Sequence, residues 1–190
     1  MKNLLILSFF LLFLTINSFA QKLSLTEQKI VASVEQNSQS AIGFLEKVVN
    51  INSGTLNLPG VKRVGMEFKS EFEQIGLKAE WVNMPTEMNR AGHLVAERNG
   101  NKGKKLLLIG HLDTVFEADH PLQKFKMLND SIAEAPGGND MKGGDVILLF
   151  ALKALHENGL LDNSQINIVF TGDEESSGKP LSISRKHLID

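Results

Sequence analysis

Three short stretches hold the residue types that could do chemistry. In "GHLDTV", His111 and Asp113 stand two positions apart at the end of an apolar run. Extended backbone has period two, so both side chains leave on the same face. A metal-ligating His usually gives its second ring N–H to an acceptor, and Asp113 is spaced to be that acceptor. A surface His beside a turn Asp has the same spelling. In "PGGNDMKGG", Asp140 sits in a glycine-rich loop. No Gly-Lys-Ser/Thr closes a phosphate loop, and the glycine spacing fails the dinucleotide fingerprint. A plain turn and a carboxylate metal ligand both remain open. In "TGDEESSG", the acids Asp173, Glu174 and Glu175 follow a second apolar run. Adjacent acids repel unless something cationic balances them. They are either a solvated loop, or one carboxylate on a metal with its neighbour as general base on a metal-bound water. Asp173 reads as a cap or a solvent-facing residue.

The elements that would position these stretches follow from the hydrophobic pattern. Ile30, Val34, Ala41, Leu45 and Val48 make a helical stripe between Ser24 and Asn50, ended by the turn residues "NSGT". A second helix after Pro59 carries Val61, Val64, Phe68, Phe72 and Ile75 on one face and stops at Gly76. "LKAEWVNM" and "HLVAERNG" read as strands, the latter closed by the turn "NGNKG". "KKLLLIG" reads as a strand buried on both faces of a sheet. Glu117 to Asn129 is polar and irregular. "DVILLFALKALHENG" is a strong helix stopped by Gly159, and "SQINIVFTG" is a second buried strand. Lys179 to Asp190 reads as the start of one further helix. Strands alternating with helices predict an α/β fold with a largely parallel sheet flanked by helices. Ligands of such sheets sit beyond the carboxyl ends of the strands, so the three stretches are expected to meet at one edge.

Taken together, "GHLDTV", "NDMKGG" and "TGDEE" resemble the co-catalytic zinc exopeptidases and amidohydrolases. That family includes glutamate carboxypeptidase, aminoacylase, acetylornithine deacetylase, succinyl-diaminopimelate desuccinylase and the carnosine-type dipeptidases. "SGT" at Ser53 and "HLDTVF" make the glutamate carboxypeptidase group the nearest. The resemblance implies two zinc ions, with cobalt or manganese as substitutes. His111 and Glu175 would ligate one ion each, and Asp140 would bridge them ahead of a cis peptide to Met141. Asp113 would orient His111, and Glu174 would be the general base. The family prefers Gly-Pro-Gly before the Asp loop, where this chain has Ala135-Pro136-Gly137. The resemblance also implies a further acidic ligand, a final His, and an inserted lid domain that dimerises and binds the substrate carboxylate. All would lie past Asp190, so residues 21–190 are expected to be the N-terminal part of a zinc-exopeptidase-like catalytic domain, incomplete at its C-terminus.

Composition agrees with this and excludes other classes. An apolar content of 42% supports a core. A formal net charge of -2 suggests no surface for nucleic acid or for an anionic membrane. There is no cysteine, so a metal must rest on His and carboxylates, which suits zinc, manganese or cobalt at a catalytic site. Residues 1–20 read as a cleaved secretory signal: Lys2, the uncharged core "LLILSFFLLFLTI", then small residues at Ser18 and Ala20. The expectation is a periplasmic or secreted peptidase without a membrane anchor after cleavage, homodimeric at full length, acting on a small peptide or N-acyl amino acid. A deacylase or dipeptidase of the same family is the rival enzyme, and a non-catalytic remnant the rival from another class.

Overall fold

A computed structural model describes residues 22–189; the signal expected at residues 1–20 lies outside them. Helix α1 (Leu25–Val49) starts at a capping box. The Ser24 hydroxyl accepts from Glu27 N–H, and the Glu27 carboxylate accepts from Ser24 N–H. Only its C-terminal half meets the core, through Phe44, Val48 and Val49, while Val34 is exposed. Helix α2 (Leu58–Gln74) is capped by Asn57, has Pro59 in its first turn, and buries Val61, Val64, Phe68 and Phe72 completely. It gives way at Gly76, whose φ of +78° suits glycine.

The strands are β1 (Lys78–Val82), β2 (His93–Asn99), β3 (Lys102–His111), β4 (Lys126–Asn129), β5 (Ile132–Glu134) and β6 (Ser164–Thr171). A four-stranded sheet has the order β1-β2-β6-β3. β1 pairs antiparallel with β2, and β2 antiparallel with β6; β3 and β6 are parallel. The α/β class therefore stands, but the described sheet is mixed rather than largely parallel. The reason lies in the "NGNKG" turn. It reverses the chain between β2 and β3 yet leaves a strand's width between them, which β6 fills; Gly100 N–H donates to Ser164 O, and Asn101 and Lys102 N–H donate to Asn163 O.

The parallel pair is the one that matters for the site. β3 and β6 are joined through helix α3 (Gly143–Glu157), the crossover that parallel neighbours need. Their register sets His111 opposite Thr171, so both strands end at one edge. Leu94 and Ala96 of β2 and Ile166, Ile168 and Phe170 of β6 enter the core together with Val146, Leu149 and Leu152 of α3. The Phe170 ring meets Phe68 edge-on at 5.2 Å and Phe72 at 5.6 Å.

Three local expectations are corrected. β3 is not buried on both faces: Leu106, Leu107 and Ile109 are about half exposed, because β3 is the edge strand among the described residues. The irregular segment after Glu117 contains the β4–β5 hairpin, exposed throughout and so without a one-sided apolar pattern. The single helix expected after Lys179 is two short ones, α4 (Leu181–Ser184) and α5 (Lys186–Ile189), broken at Arg185. Among the described residues no helix is long and apolar enough to cross a membrane.

Candidate metal centre

The tip of β3 is fastened by the "SGT" stretch. Thr114 N–H donates to Ser53 O, and Thr55 N–H donates to Thr114 O. The Ser53 hydroxyl donates to Leu112 O at 2.8 Å, and the Thr55 hydroxyl to Asp113 Oδ2 at 2.7 Å. Asp113 is fully buried, and it also receives the acidic loop. Glu174 N–H donates to its Oδ1 at 3.0 Å and Glu175 N–H to its Oδ2 at 3.1 Å. Burial alone would raise the Asp113 pKa, but these donors and His111 outweigh it and hold it below the ordinary value. One carboxylate thus locks the two strand tips together, a role beyond the orienting one expected for it.

His111 is 4% exposed. Its Nδ1 lies 3.1 Å from the main-chain O of Asp113 and 3.5 Å from Oδ1, so the carbonyl is the nearer partner. Its Nε2 faces Asp140 Oδ1 at 2.9 Å and Glu174 Oε2 at 3.9 Å. Ligand atoms of His111, Glu174 and Glu175 all lie within 4.8 Å of one another. Asp140 and Glu174 keep their carboxylates largely open to solvent. The cleft between them, of about 350 Å³, is also lined by Met141, Thr171 and Arg185.

The loop bearing Asp140 is held by its neighbours. Gly137 has φ +69°, and a Cβ there would stand 2.2 Å from the Thr114 side chain. Lys142 is buried and donates to Val48 O at 2.9 Å and Ile51 O at 3.0 Å, which ties the loop to the end of α1. Burial lowers its pKa to about 8, against the attraction of Asp145. The Asp140–Met141 bond is cis, as the resemblance implies. Asp145, in the first turn of α3, is buried with neither oxygen bonded, and burial pushes its pKa well above the ordinary value. It sits against Gly110, where a Cβ would meet Oδ1 at 2.0 Å.

The donor set fits a cation. Both ring nitrogens of His111 face oxygen acceptors, Nδ1 the Asp113 carbonyl at 3.1 Å and Nε2 the Asp140 carboxylate at 2.9 Å, and a neutral ring has one N–H, so the other nitrogen needs a second proton or a metal. Burial lowers the His111 pKa, yet its bonds to Asp113 and Asp140 raise it on balance to about 9. Burial first, and then the nearby Asp140, Asp113 and Glu174, push Glu175 above its ordinary range, with His111 opposing. A divalent ion would relieve that crowding, and His and carboxylates without thiolate suit zinc, manganese or cobalt.

All five residues singled out in the sequence, His111, Asp113, Asp140, Glu174 and Glu175, meet at this edge. Sequence reasoning missed Thr55, Lys142, Asp145, His93 and Arg185. Thr55 had a signal in "SGT", and Lys142 lies inside the loop already noted. Asp173 was expected to cap or to face solvent; it is fully buried, and its carboxylate does cap, accepting Gly178 N–H.

A strand-edge cluster of one imidazole and several carboxylates, on helices packed against a β-sheet, is a donor set that could hold a metal ion. Residues 107–190 match Peptidase family M20/M25/M40. Carboxypeptidase G2 of Pseudomonas sp. (strain RS-16) is 34% identical over 142 residues, which is 72% of this chain and 32% of that protein. The chain therefore spans about a third of the length of this relative. Human carnosine dipeptidase 1 shares the fold at a TM-score of 0.70 and 18% identity, over 85% of this chain and 37% of that one. An M20 family metallo-carboxypeptidase from Sulfolobus solfataricus does so at a TM-score of 0.59 and 24% identity, over 71% and 31%.

Proposed function

We propose that this chain carries the N-terminal part of the catalytic domain of an exported di-zinc peptidase of the carboxypeptidase type. Its substrate is an amide next to a free carboxylate, as at a peptide C-terminus. The observation that carries the reading is the convergence of His111, Asp140, Glu174 and Glu175 at one strand edge; the likeness to carboxypeptidase G2 supports the reaction class. Export rests on the apolar segment before Gln21.

His111, Asp140 and Glu175 would hold the metal. Bound there, it would polarise the scissile carbonyl and make water a better nucleophile at neutral pH. Glu174 projects into the cleft on a main chain fixed to Asp113. It takes a proton from the attacking water while the water oxygen bonds to the carbonyl carbon. As the C–N bond breaks, the same carboxyl gives that proton to the leaving amine. Asp113 keeps His111 and both glutamates in one frame.

The test is a pair of substitutions in the enzyme expressed from its full reading frame. Glu174→Gln is expected to keep its metal and lose at least ~10²–10⁴-fold in turnover, the usual cost of removing a general base. Glu175→Gln is expected to lose metal. Metal analysis beside kinetics reads both, and a fully active Glu174→Gln enzyme would remove the base assignment. A substrate panel of C-terminal glutamyl peptides, N-acyl amino acids and dipeptides separates the carboxypeptidase from the deacylase and the dipeptidase.

A further inference from the structure

Behind the acidic loop lies a buried polar network that the proposed chemistry does not use. Asp173 is fully buried, and its Oδ1 accepts from Arg185 Nη1 at 2.6 Å. Its Oδ2 accepts from Gly178 N–H at 2.7 Å. Arg185 Nη2 donates to Asp173 O at 3.3 Å and to the Ser177 hydroxyl at 2.9 Å, and Nη1 also donates to Ser184 O at 3.2 Å. His93, buried on β2, accepts from Gly172 N–H at Nδ1, 3.1 Å away. Its proton is then on Nε2, which donates to Ser184 O at 2.7 Å. Arg90 holds the far side of the loop through Ser176 O and the Ser176 hydroxyl.

We propose that Asp173, Arg185 and His93 form a buckle of positioning residues that sets where Glu174 and Glu175 stand before any cation binds. The loop is gripped at Gly172 and Asp173 and again from Ser176 to Gly178. Between these grips the amides of Glu174 and Glu175 go to Asp113, which leaves both carboxylates to project. Arg185 lines the cleft beside His111, Asp140 and Glu174, and an arginine there invites assignment as the reader of a substrate carboxylate. The bonding argues otherwise. Both terminal nitrogens are engaged by the protein, and a buried aspartate already balances the charge. A buried ion pair is a weak device for stability alone, since apolar groups of the same shape often do as well. Its value here is geometric. It also explains why the helix breaks at Arg185, where the backbone turns out of helical geometry and the side chain reaches the loop.

The proposal deepens the metallopeptidase reading, but its decisive measurement is independent of activity and of metal. Amide hydrogen exchange is followed in the purified chain without metal, for wild type, Arg185→Lys and Ser177→Ala. Lysine keeps the charge but cannot reproduce the fork. The Glu174 and Glu175 amides are expected to exchange ~10–100-fold faster in Arg185→Lys, the cost of charge-assisted bonds lost. Ser177→Ala, one neutral bond, is expected to give ~5-fold. The amides of Ile166–Phe170 are expected to stay protected in both. Titration of the enzyme from its full reading frame with Co²⁺, read by its visible absorption, is expected to weaken ~10–100-fold in Arg185→Lys, as for other residues that support metal ligands. Unchanged loop exchange in a folded Arg185→Lys protein overturns the proposal, and so does loss of β6 protection in step with the loop, the mark of general destabilisation. If Arg185→Lys does not fold, unchanged exchange in Ser177→Ala overturns it. Should the wild-type enzyme from its full reading frame bind no Co²⁺, the metal reading fails, while loop exchange still decides the buckle.

Discussion

β3 and β6 lie side by side, run parallel and both end in the site, yet they occupy different surroundings. Ile168 and Phe170 of β6 are fully buried, and Val169 is 2% exposed. Leu106, Leu107 and Ile109 of β3 are 52%, 50% and 54% exposed. Their sequences, "KKLLLIG" and "INIVFTG", are about equally apolar. The difference comes from neighbours. β6 has β2 on one side and β3 on the other, whereas β3 has one partner among the described residues. Apolar content marks a strand; sheet order decides what the strand buries. The two strands also fix their tips by different means. β6 is anchored along its length by packing, while the end of β3 is pinned by hydrogen bonds: Leu112 N–H to Thr171 O at 2.7 Å, and the Ser53 and Thr55 stitches.

The contrast breaks if truncation costs the same on both strands. Phe170→Ala removes a ring packed edge-on against Phe68 and Phe72, and is expected to destabilise by ~3–5 kcal/mol. Leu107→Ala, half exposed, is expected to cost well under half of that. Urea unfolding of the two variants beside wild type measures both. Equal losses would mean that β3 is covered in solution.

Much of the site was legible because it is local. The two-residue spacing of His111 and Asp113, the loop around Asp140 and the acids after β6 each announce themselves within a few residues. The strand-end rule then brings them to one edge, and the register of His111 with Thr171 does so. What could not be read is long-range. The place of β6 between β2 and β3 depends on pairings across sixty residues or more, so the antiparallel half of the sheet left no local mark. The burial of Asp173 depends on Arg185 and on a helix broken to present it. The hydrogen bond from Thr55 to Asp113 spans a similar distance, with only "SGT" to hint at it.

His93 sharpens the comparison from the buried side. Burial first pushes its pKa below 6.5, and Arg185 and His187 push the same way; the bond to Ser184 and the charge of Asp173 oppose. The folded state therefore binds this proton less readily than the unfolded chain. Its contribution is present above pH 6.5 and is lost as pH falls from there toward the depressed folded value. Stability is expected to decline below pH 6.5 by up to ~1.4 kcal/mol per pH unit from this group. His93→Gln is expected to flatten that limb. Urea midpoints between pH 7 and pH 5 read the slope, and an equal slope in the variant would place the titration elsewhere.

The smallest expected effect on stability lies on β3, where its absence is the informative result. Ile109→Thr shortens a half-exposed apolar side chain in a strand and keeps a β-branched residue there. Its cost is expected to stay within ~0.5 kcal/mol, as for most surface changes. Association should respond more than folding does. Beyond the β6 pairing, β3 presents its other edge with no strand against it among the described residues, and Leu106, Leu107 and Ile109 lie along it. An apolar open edge is a template for pairing with another chain. Wild type is therefore expected to self-associate as concentration rises, and Ile109→Lys to associate less than Ile109→Thr, because a charge on an edge strand opposes strand addition. Sedimentation across a concentration series, beside urea unfolding of the same three proteins, separates the two effects. A wild type that stays monomeric at all concentrations would leave β3 no stickier than an ordinary surface. A loss of several kcal/mol in Ile109→Thr would show that the strand is buried after all and end the contrast with β6.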